Sequence, residues 1–232
     1  MNRIALVFVA VVVFFAPTAR SDDGFKPLFN GKDLTGWKQF MPDKNVKPED
    51  VWSVKDGIII CLGAKKPNGY IITEKEYGNY VLKVQWRFPA GSPGGNSGVL
   101  LHCQPPDKVW PKSVEAQLQS GEAGDFWLVD GAKLDIPKER NNPNSPRNYI
   151  RIGEKWVLPE NGKQQKAVRK NFEKPIGEWN QYEIHCDGGD IKLMVNGQLV
   201  NEGKNGELIK GRILLQAEGA DIHFRSIELK TK

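Results

Sequence analysis

The sequence has few of the residues that build metal centres and disulfide frameworks. It contains three cysteines and three histidines among 232 residues, and no Cys-x-x-Cys or Cys/His spacing of the zinc-binding kind. Cys61, Cys103 and Cys186 are widely separated and lie in apolar, strand-like contexts. An oxidising compartment would allow one disulfide and leave one thiol over, with the pairing undetermined. Buried free thiols that pack as small apolar groups are the favoured interpretation.

Long hydrophobic runs are absent after the first twenty residues. The apolar run Ile4–Ala16 is too short to span a bilayer comfortably, and Ala19 and Ser21 suit the positions before a cleavage site. We therefore expect residues 1–21 to be a signal peptide and the protein to be exported, either to the periplasm or out of the cell. Residues 22–232 are expected to form a single domain that does not span a membrane.

The chain also lacks the sustained basic stripe of a nucleic-acid-binding protein. Its formal net charge is +5, and the segment between Leu128 and Glu178 alone holds 11 basic and 7 acidic residues. The positive charge is therefore concentrated in one segment. This distribution predicts no nucleic-acid partner, and no pattern in the chain indicates an oligomeric state.

No helical period is present, and short runs of alternating apolar and polar residues replace it. The dipeptides Asp56-Gly57 and Asn196-Gly197 each separate two such runs, which is a strong hairpin signal. Between Tyr80 and Phe88 every second residue is apolar. These patterns predict an all-β, antiparallel, two-sheet sandwich. We expect the N-terminal aromatic segment 24–37 to meet the last strand and close one sheet.

A long proline-rich insertion interrupts the strand pattern at residues 129–175. Such an insertion in a compact domain is typical of a binding loop or a lid, and disorder is the alternative. The aromatic residues Tyr149, Trp156 and Phe172 favour a packed segment over a disordered one.

The stretch from Asn96 to Trp127 carries the clearest functional pattern. In residues 113–119 the side chains of Glu115, Gln117 and Gln119 alternate with apolar ones, so they are predicted to share one face of a strand. The same alternation in the preceding strand puts His102 on the polar face. A face with one carboxylate and neighbouring amides suits a hydroxyl-rich ligand. The alternative is a plain solvated face of an antiparallel sheet.

Several motifs, in order along nearly the whole mature chain, resemble the 3-keto-disaccharide hydrolase domain family. They are Phe29-Asn-Gly-Lys-Asp-Leu-Thr-Gly-Trp37, Trp52-Ser-Val-Lys-Asp-Gly57, Asn96-Ser-Gly-Val99, Gly177-Glu-Trp-Asn180, Gly211-Arg-Ile-Leu-Leu-Gln216 and Phe224-Arg-Ser-Ile227. The resemblance implies a concanavalin A-like jelly roll whose concave face binds sugar. It also implies an exported bacterial protein that cleaves glycosides already oxidised at C3. One position departs from the family, because Glu218 stands where members often carry a histidine two residues after Gln216.

The implied chemistry needs an acid and a base. A 3-keto group acidifies the C2 proton, and its removal lets the C1 substituent leave, after which hydration completes a net hydrolysis. Glu115 and His102 are the predicted catalytic residues, and Glu218 is the other acid/base group on a polar face. Retaining glucanases of this fold place two carboxylates at i and i+4 on one strand, whereas here Glu115 is followed by Gln119. This difference argues against hydrolysis of unoxidised sugars.

The remaining candidates are residues predicted to bind the substrate. Trp127 could stack on a sugar ring, and Arg87 or Lys133 could stabilise an enolate. The full set predicted to bind substrate is Gln117, Gln119, Asp125, Trp127, Gln216, Glu218, Arg87 and Lys133. No cofactor is demanded by any motif, and a divalent metal held by His102 with Glu115 stays open.

Two other functional classes share most of these features. A lectin-like carbohydrate-binding module would keep the fold and the amide-lined groove without any acid or base. A scaffold or adhesion domain would make the polar face ordinary surface. Turnover of a 3-keto-glycoside separates the enzyme from both.

Overall fold

The computed structural model describes residues 23–160 and 162–232, and the predicted signal peptide lies outside them. The described residues form β-strands and two short 3-10 turns, Pro48–Asp50 and Lys138–Arg140, and no helix among them is long and apolar enough to cross a membrane. The strands are β1 (Lys26–Pro27), β2 (Trp37–Phe40), β3 (Trp52–Lys55), β4 (Ile58–Leu62), β5 (Gly69–Thr73), β6 (Tyr80–Arg87), β7 (Gly98–Cys103), β8 (Ser113–Gln117), β9 (Phe126–Val129), β10 (Asn141–Asn142), β11 (Ser145–Tyr149), β12 (Lys155–Val157), β13 (Lys166–Val168), β14 (Asn180–Asp187), β15 (Asp190–Val195), β16 (Gln198–Gly203), β17 (Arg212–Ala217) and β18 (Asp221–Thr231).

Two large antiparallel sheets form the sandwich. The back sheet has the strand order β16-β15-β14-β6-β18-β4-β3, with β1 paired to β18. The front sheet has the order β10-β11-β9-β8-β7-β17-β5-β2, and β12 and β13 form a separate two-stranded ribbon. The predicted all-β, antiparallel, two-sheet jelly roll is confirmed.

The local signals in the sequence correspond to the observed turns and pairings. Asp56 and Gly57 connect β3 to β4, and Asn196 and Gly197 connect β15 to β16, all four with positive φ. Positive φ at both central residues is what a two-residue hairpin requires. The expected closure of one sheet by the N-terminal segment is confirmed as well, since Lys26 pairs with Leu229.

The core lies between the two sheets and follows from the alternation in β6. Tyr80, Leu82, Val84 and Trp86 are fully buried against the front sheet, while the residues between them face outward and are partly exposed. Burial of such side chains stabilises the fold by roughly 1.5–3 kcal/mol each. The three cysteines are buried and free, as the favoured interpretation of the sequence predicted.

A bulge in β7 overturns the predicted position of His102. Leu100 pairs with Leu214 and Cys103 pairs with Arg212, so β7 has one residue more than β17 between these two pairs. The extra residue reverses the parity of the strand, and His102, with φ of 53°, turns toward the core. The prediction that His102 shares a face with Glu115 is therefore wrong.

His102 is a structural link between backbone segments. Its Nδ1 lies 2.7 Å from the carbonyl oxygen of Leu208 and its Nε2 lies 3.1 Å from that of Gly78. Its ring meets the ring of Tyr80 edge-on at 5.5 Å. Burial lowers the pKa of His102, and the two carbonyl contacts oppose that shift.

We predict that His102→Ala lowers the free energy of unfolding by roughly 2–4 kcal/mol, because it leaves a cavity in place of a buried ring and removes the contact with the buried carbonyl oxygen of Leu208. Urea denaturation measures this change. His185→Ala is the matched control. That imidazole is partly exposed on the back sheet, and among the described residues its side-chain hydrogen bond is to Glu183. Its effect should stay within about 0.5 kcal/mol. Equal stability of wild type and His102→Ala would contradict the structural role.

Candidate active site

The polar face of the front sheet forms a groove of about 300 Å³ lined by residues of β8, β9, β11 and β17, which we call the sheet groove. Its size is at the lower end of the range for small-ligand sites. The sheet groove is lined by Asn96, Trp110, Glu115, Gln117, Gln119, Trp127, Leu128, Val129, Arg147, Gln216 and Glu218. The predicted residues Glu115, Gln117, Gln119, Trp127, Gln216 and Glu218 are therefore brought together.

Gly98 forms the floor of the sheet groove. It pairs with Gln117 on one side, and the register of β17 brings Gln216 to its other side. A Cβ at this position would overlap Oε1 of Gln216 and would lie 2.5 Å from Oε1 of Glu115. Glycine at this position leaves the space over which two acceptor oxygens converge, and a larger residue would displace both side chains.

Three side-chain oxygens in the sheet groove are buried and have no hydrogen-bond donor. They are Oδ1 of Asn96, Oε1 of Glu115 and Oε1 of Gln216. Within the described ranges, no other amide or carboxyl oxygen of a side chain is both buried and without a hydrogen-bond donor. An unpaired buried acceptor is costly, so the three oxygens call for a ligand that supplies several donors.

The segment Asn96-Ser97-Gly98 explains how these groups are held. Asn96 forms an isolated β-bridge with Glu218, and the hydroxyl of Ser97 donates to the backbone carbonyl of Gln216 at 2.9 Å. This short motif therefore attaches the start of β7 to the end of β17. Its glycine then leaves space above the sheet.

Gln117 is oriented by the backbone that follows it. Its Oε1 accepts from the amides of Leu118 at 2.8 Å and Gln119 at 3.0 Å. From the back sheet, the hydroxyl of Tyr182 donates to the carbonyl oxygen of Gln117. With its oxygen bonded to the main chain, the carboxamide of Gln117 has its NH₂ group left to act as a donor for a ligand.

The two carboxyl groups of the sheet groove have raised pKa values. Burial raises the pKa of Glu115 well above its ordinary value of 4.5, the charge of Glu218 raises it further, and Arg147 opposes both. Burial raises the pKa of Glu218 to about 7. At neutral pH the pair can therefore supply one acid and one base.

Aromatic and cationic side chains from distant segments complete the sheet groove. Trp110 and Trp127 line it, and Trp127 on β9 pairs directly with Glu115 on β8. Arg147, on β11 of the insertion, is the one cation among the lining residues. Sequence reasoning missed Trp110, Arg147 and Asn96 as site residues, and no local pattern around the first two indicates their position.

Two predicted cations lie away from the sheet groove. Arg87 is on β6 in the back sheet, where its guanidinium stacks 4.6 Å from the Trp179 ring and its Nε approaches Nδ1 of His223 at 3.4 Å. Lys133 follows β9 on an exposed loop whose amide donates to Glu207. Neither of the two cations predicted to stabilise an enolate, Arg87 and Lys133, therefore lines the sheet groove.

Asp125 is a structural anchor and does not line the sheet groove. Its side chain is fully buried, and Nη1 of Arg169 lies 2.7 Å and 2.9 Å from its two oxygens. Burial raises the pKa of Asp125 to about 6, and Arg169 opposes this shift. The predicted contact of Asp125 with substrate is therefore replaced by an ion pair that attaches the insertion to the front sheet.

The metal site that the sequence left open does not assemble from His102 and Glu115, which face opposite sides of the front sheet. Across residues 23–160 and 162–232, no three His, Cys, Asp or Glu side chains are grouped in a way that could hold a metal ion.

Larger clefts of about 610 and 530 Å³ lie against the other side of the insertion, near Arg140 and Glu202. None of the buried, unpartnered polar atoms found in the described residues lines either cleft. The sheet groove is therefore the stronger candidate for a site with chemistry.

The fold and the sheet groove define a class of protein, a concanavalin A-like jelly roll with an acid- and amide-lined groove on one sheet. A solved carbohydrate-binding module of Bacillus subtilis, CBM66, shares this fold with a TM-score of 0.55 at 8% identity, over 84% of this chain and 96% of the module.

The profile of the 3-keto-alpha-glucoside-1,2-lyase-like domain family matches residues 24–230, and the chain belongs to that family. A 3-keto-disaccharide hydrolase of Bacteroides thetaiotaomicron is 24% identical over 249 residues, covering 90% of this chain and 78% of the relative. A candidate glycosyl hydrolase of Parabacteroides distasonis has a solved structure that is 25% identical, with a TM-score of 0.59, over 90% of this chain and 99% of that one. The resemblance drawn from the sequence is confirmed.

We predict that Gly98→Ala slows turnover of a carbohydrate substrate roughly 10²-fold, because the new methyl group displaces Glu115 and Gln216 from the floor. Steady-state kinetics measures the effect, and a thermal melt by circular dichroism verifies that the variant is folded. Gly78→Ala is the matched control, since a Cβ there meets no atom closer than 3.4 Å. Wild-type kinetics in Gly98→Ala would show that the convergence over Gly98 has no role in turnover.

Proposed function

We propose that this protein is an exported carbohydrate-active enzyme that cleaves 3-keto-glycosides, including 3-keto-disaccharides, by elimination and rehydration. The observation that carries the proposal is the pair Glu115 and Glu218, two carboxyl groups with raised pKa values in one groove. Membership in the 3-keto-alpha-glucoside-1,2-lyase-like family supports the same chemistry.

The ligand chemistry fits the unpaired acceptors of the sheet groove. The donorless oxygens of Asn96, Glu115 and Gln216 match the hydroxyl groups of a sugar, each of which can donate one hydrogen bond. The indoles of Trp110 and Trp127 offer apolar surfaces to the C–H faces of a sugar ring.

The first half of the reaction is an elimination. Glu218, as a carboxylate, takes the C2 proton, and the electrons of the C2–H bond form the C1–C2 double bond. The C1–O bond breaks, its electron pair leaves with the departing group, and protonated Glu115 donates a proton to that oxygen. Arg147, at the edge of the sheet groove, is the cation placed to offset negative charge on the oxygen at C3.

The second half reverses the two roles. Glu115, now a carboxylate, takes a proton from water as the water oxygen attacks C1. Protonated Glu218, whose proton exchanges with solvent after the elimination, returns a proton to C2, which restores both carboxyl groups to their starting states. Addition of water across the double bond gives the free 3-keto sugar, so elimination and hydration together amount to hydrolysis.

Glu218 changes the argument against direct hydrolysis. The i and i+4 positions of β8 hold Glu115 and Gln119, but a second carboxyl reaches the groove from the end of β17. A retaining glycosidase also uses one ionised and one protonated carboxyl group, so it is the family match that supports the choice of a 3-keto substrate.

The test is to incubate the mature protein with a 3-keto-disaccharide and with its unoxidised parent in D₂O, following products by NMR. We expect turnover of the 3-keto substrate only, with deuterium at C2 of the released sugar. Glu115→Gln and Glu218→Gln should each slow turnover by roughly 10²–10⁴-fold. Glu178→Gln, an exposed carboxyl far along the chain from the site strands, is the control and should keep wild-type rates.

Two outcomes would contradict the proposal. Comparable turnover of the unoxidised parent would show that the keto group is not needed. Tight binding of the sugar without turnover, unchanged by either glutamine substitution, would favour a lectin-like binding module.

We also propose that residues 1–21 direct export and are removed, leaving residues 22–232 as one domain. The family match, which begins at residue 24, supports this boundary. N-terminal sequencing of the exported protein should find a start near Asp22, and an intact Met1 would contradict it.

A further inference from the structure

A second cavity, of about 370 Å³, lies directly beside the sheet groove. The indole of Trp127 lines both cavities and forms the wall between them. The second cavity, which we call the side cavity, is built by the insertion apart from Trp127 and Glu122. Its walls include Asn142, Asn148, Trp156 and Gln165.

The register of the front sheet fixes the direction from one cavity to the other. Glu115 on β8 pairs with Trp127 on β9, and Trp127 pairs with Asn148 on β11. Directly paired residues point to the same face, and adjacent strands are about 4.8 Å apart. Glu115, Trp127 and Asn148 therefore form a row of paired residues, which runs from the proposed acid, across the indole of Trp127, into the side cavity.

The insertion that builds the side cavity is held in place by buried charges. Arg169 contacts Asp125 at 2.7 Å, Glu154 at 3.1 Å and Glu122 at 3.1 Å. Arg151 is fully buried and contacts Glu154 at 2.7 Å. Such a paired and hydrogen-bonded cluster costs several kcal/mol to break, so the side cavity is a fixed part of the fold.

The lining of the side cavity shares carboxamides and indoles with the sheet groove, and it adds the charged side chains of Glu122, Lys166 and Arg169. It combines carboxamides, which can both donate and accept, with the two indoles of Trp127 and Trp156. Asn148 is buried, and its carboxamide lies 3.1 Å from Nε1 of Trp127, so it can fix the indole that separates the cavities. Amides beside flat apolar surfaces suit a second hydroxyl-rich ring.

We propose that the side cavity binds the leaving-group sugar of a 3-keto-disaccharide and makes the enzyme selective for glycosides whose leaving group is itself a sugar. This inference rests on the proposed function. Glu115 protonates the departing oxygen, so the departing group lies on the Glu115 side of the reacting ring, which is the side that leads past Trp127. A small leaving group such as methanol would leave the side cavity unused.

The test compares a double variant, Gln165→Ala with Lys166→Ala, with the wild type. Both side chains line the side cavity and are exposed, so their removal should leave the fold intact. The matched control is Lys163→Ala with Gln164→Ala, exposed neighbours that do not line the side cavity.

Two measurements are made on each protein. One is kcat/KM for a 3-keto-disaccharide and for the methyl 3-keto-glycoside. The other is the Kd for the unoxidised disaccharide and for the unoxidised methyl glycoside, by calorimetry. Loss of two hydrogen bonds should lower kcat/KM and raise Kd about tenfold for the disaccharides, with less than about twofold change for the methyl glycosides and for the control variant.

Equal losses with both kinds of glycoside, or no loss with either, would overturn the inference. If no protein turns over any 3-keto-glycoside, the proposed function fails. The calorimetric comparison would then still decide whether the side cavity binds the second sugar ring.

Discussion

The burial of one carboxyl group in the sheet groove is the constraint on which the site depends. Glu115 is 6% exposed, and its Oε1 has no donor and converges with that of Gln216 over Gly98. Such a group is costly as an anion, so burial raises its pKa and holds it protonated. The surroundings of this buried acid are the glycine floor, the neighbouring amides and Glu218.

A second constraint fixes what lies beside that acid. The pairing of β11 with β9 and the ion pair between Arg169 and Asp125 attach the insertion to the front sheet. Because it is attached, Arg147 reaches the sheet groove and Asn148 comes to lie next to Trp127. The residue predicted to contact substrate, Asp125, therefore acts on the site only through the segment that it holds.

The sequence was most informative where a property depends on neighbours along the chain. Strand alternation and hairpin turns gave the two-sheet fold, and alternation in β8 placed Glu115 and Gln117 on one face. His102 could not be placed in this way, because one bulged residue reverses the parity of its strand and only the pairing with β17 reveals it. Arg147 and Trp110 reach the groove through long-range packing, which no local pattern encodes.

The most direct test of this account is the protonation state of the two groove carboxyls. With ¹³C-labelled glutamate, an NMR titration of the wild type, assigned with Glu115→Gln and Glu218→Gln, follows each carboxyl separately. We predict that Glu115 stays protonated through neutral pH and that Glu218 titrates near a pKa of about 7. Titration of both groups near the ordinary pKa of 4.5 would contradict the account, because neither would then be an acid at neutral pH.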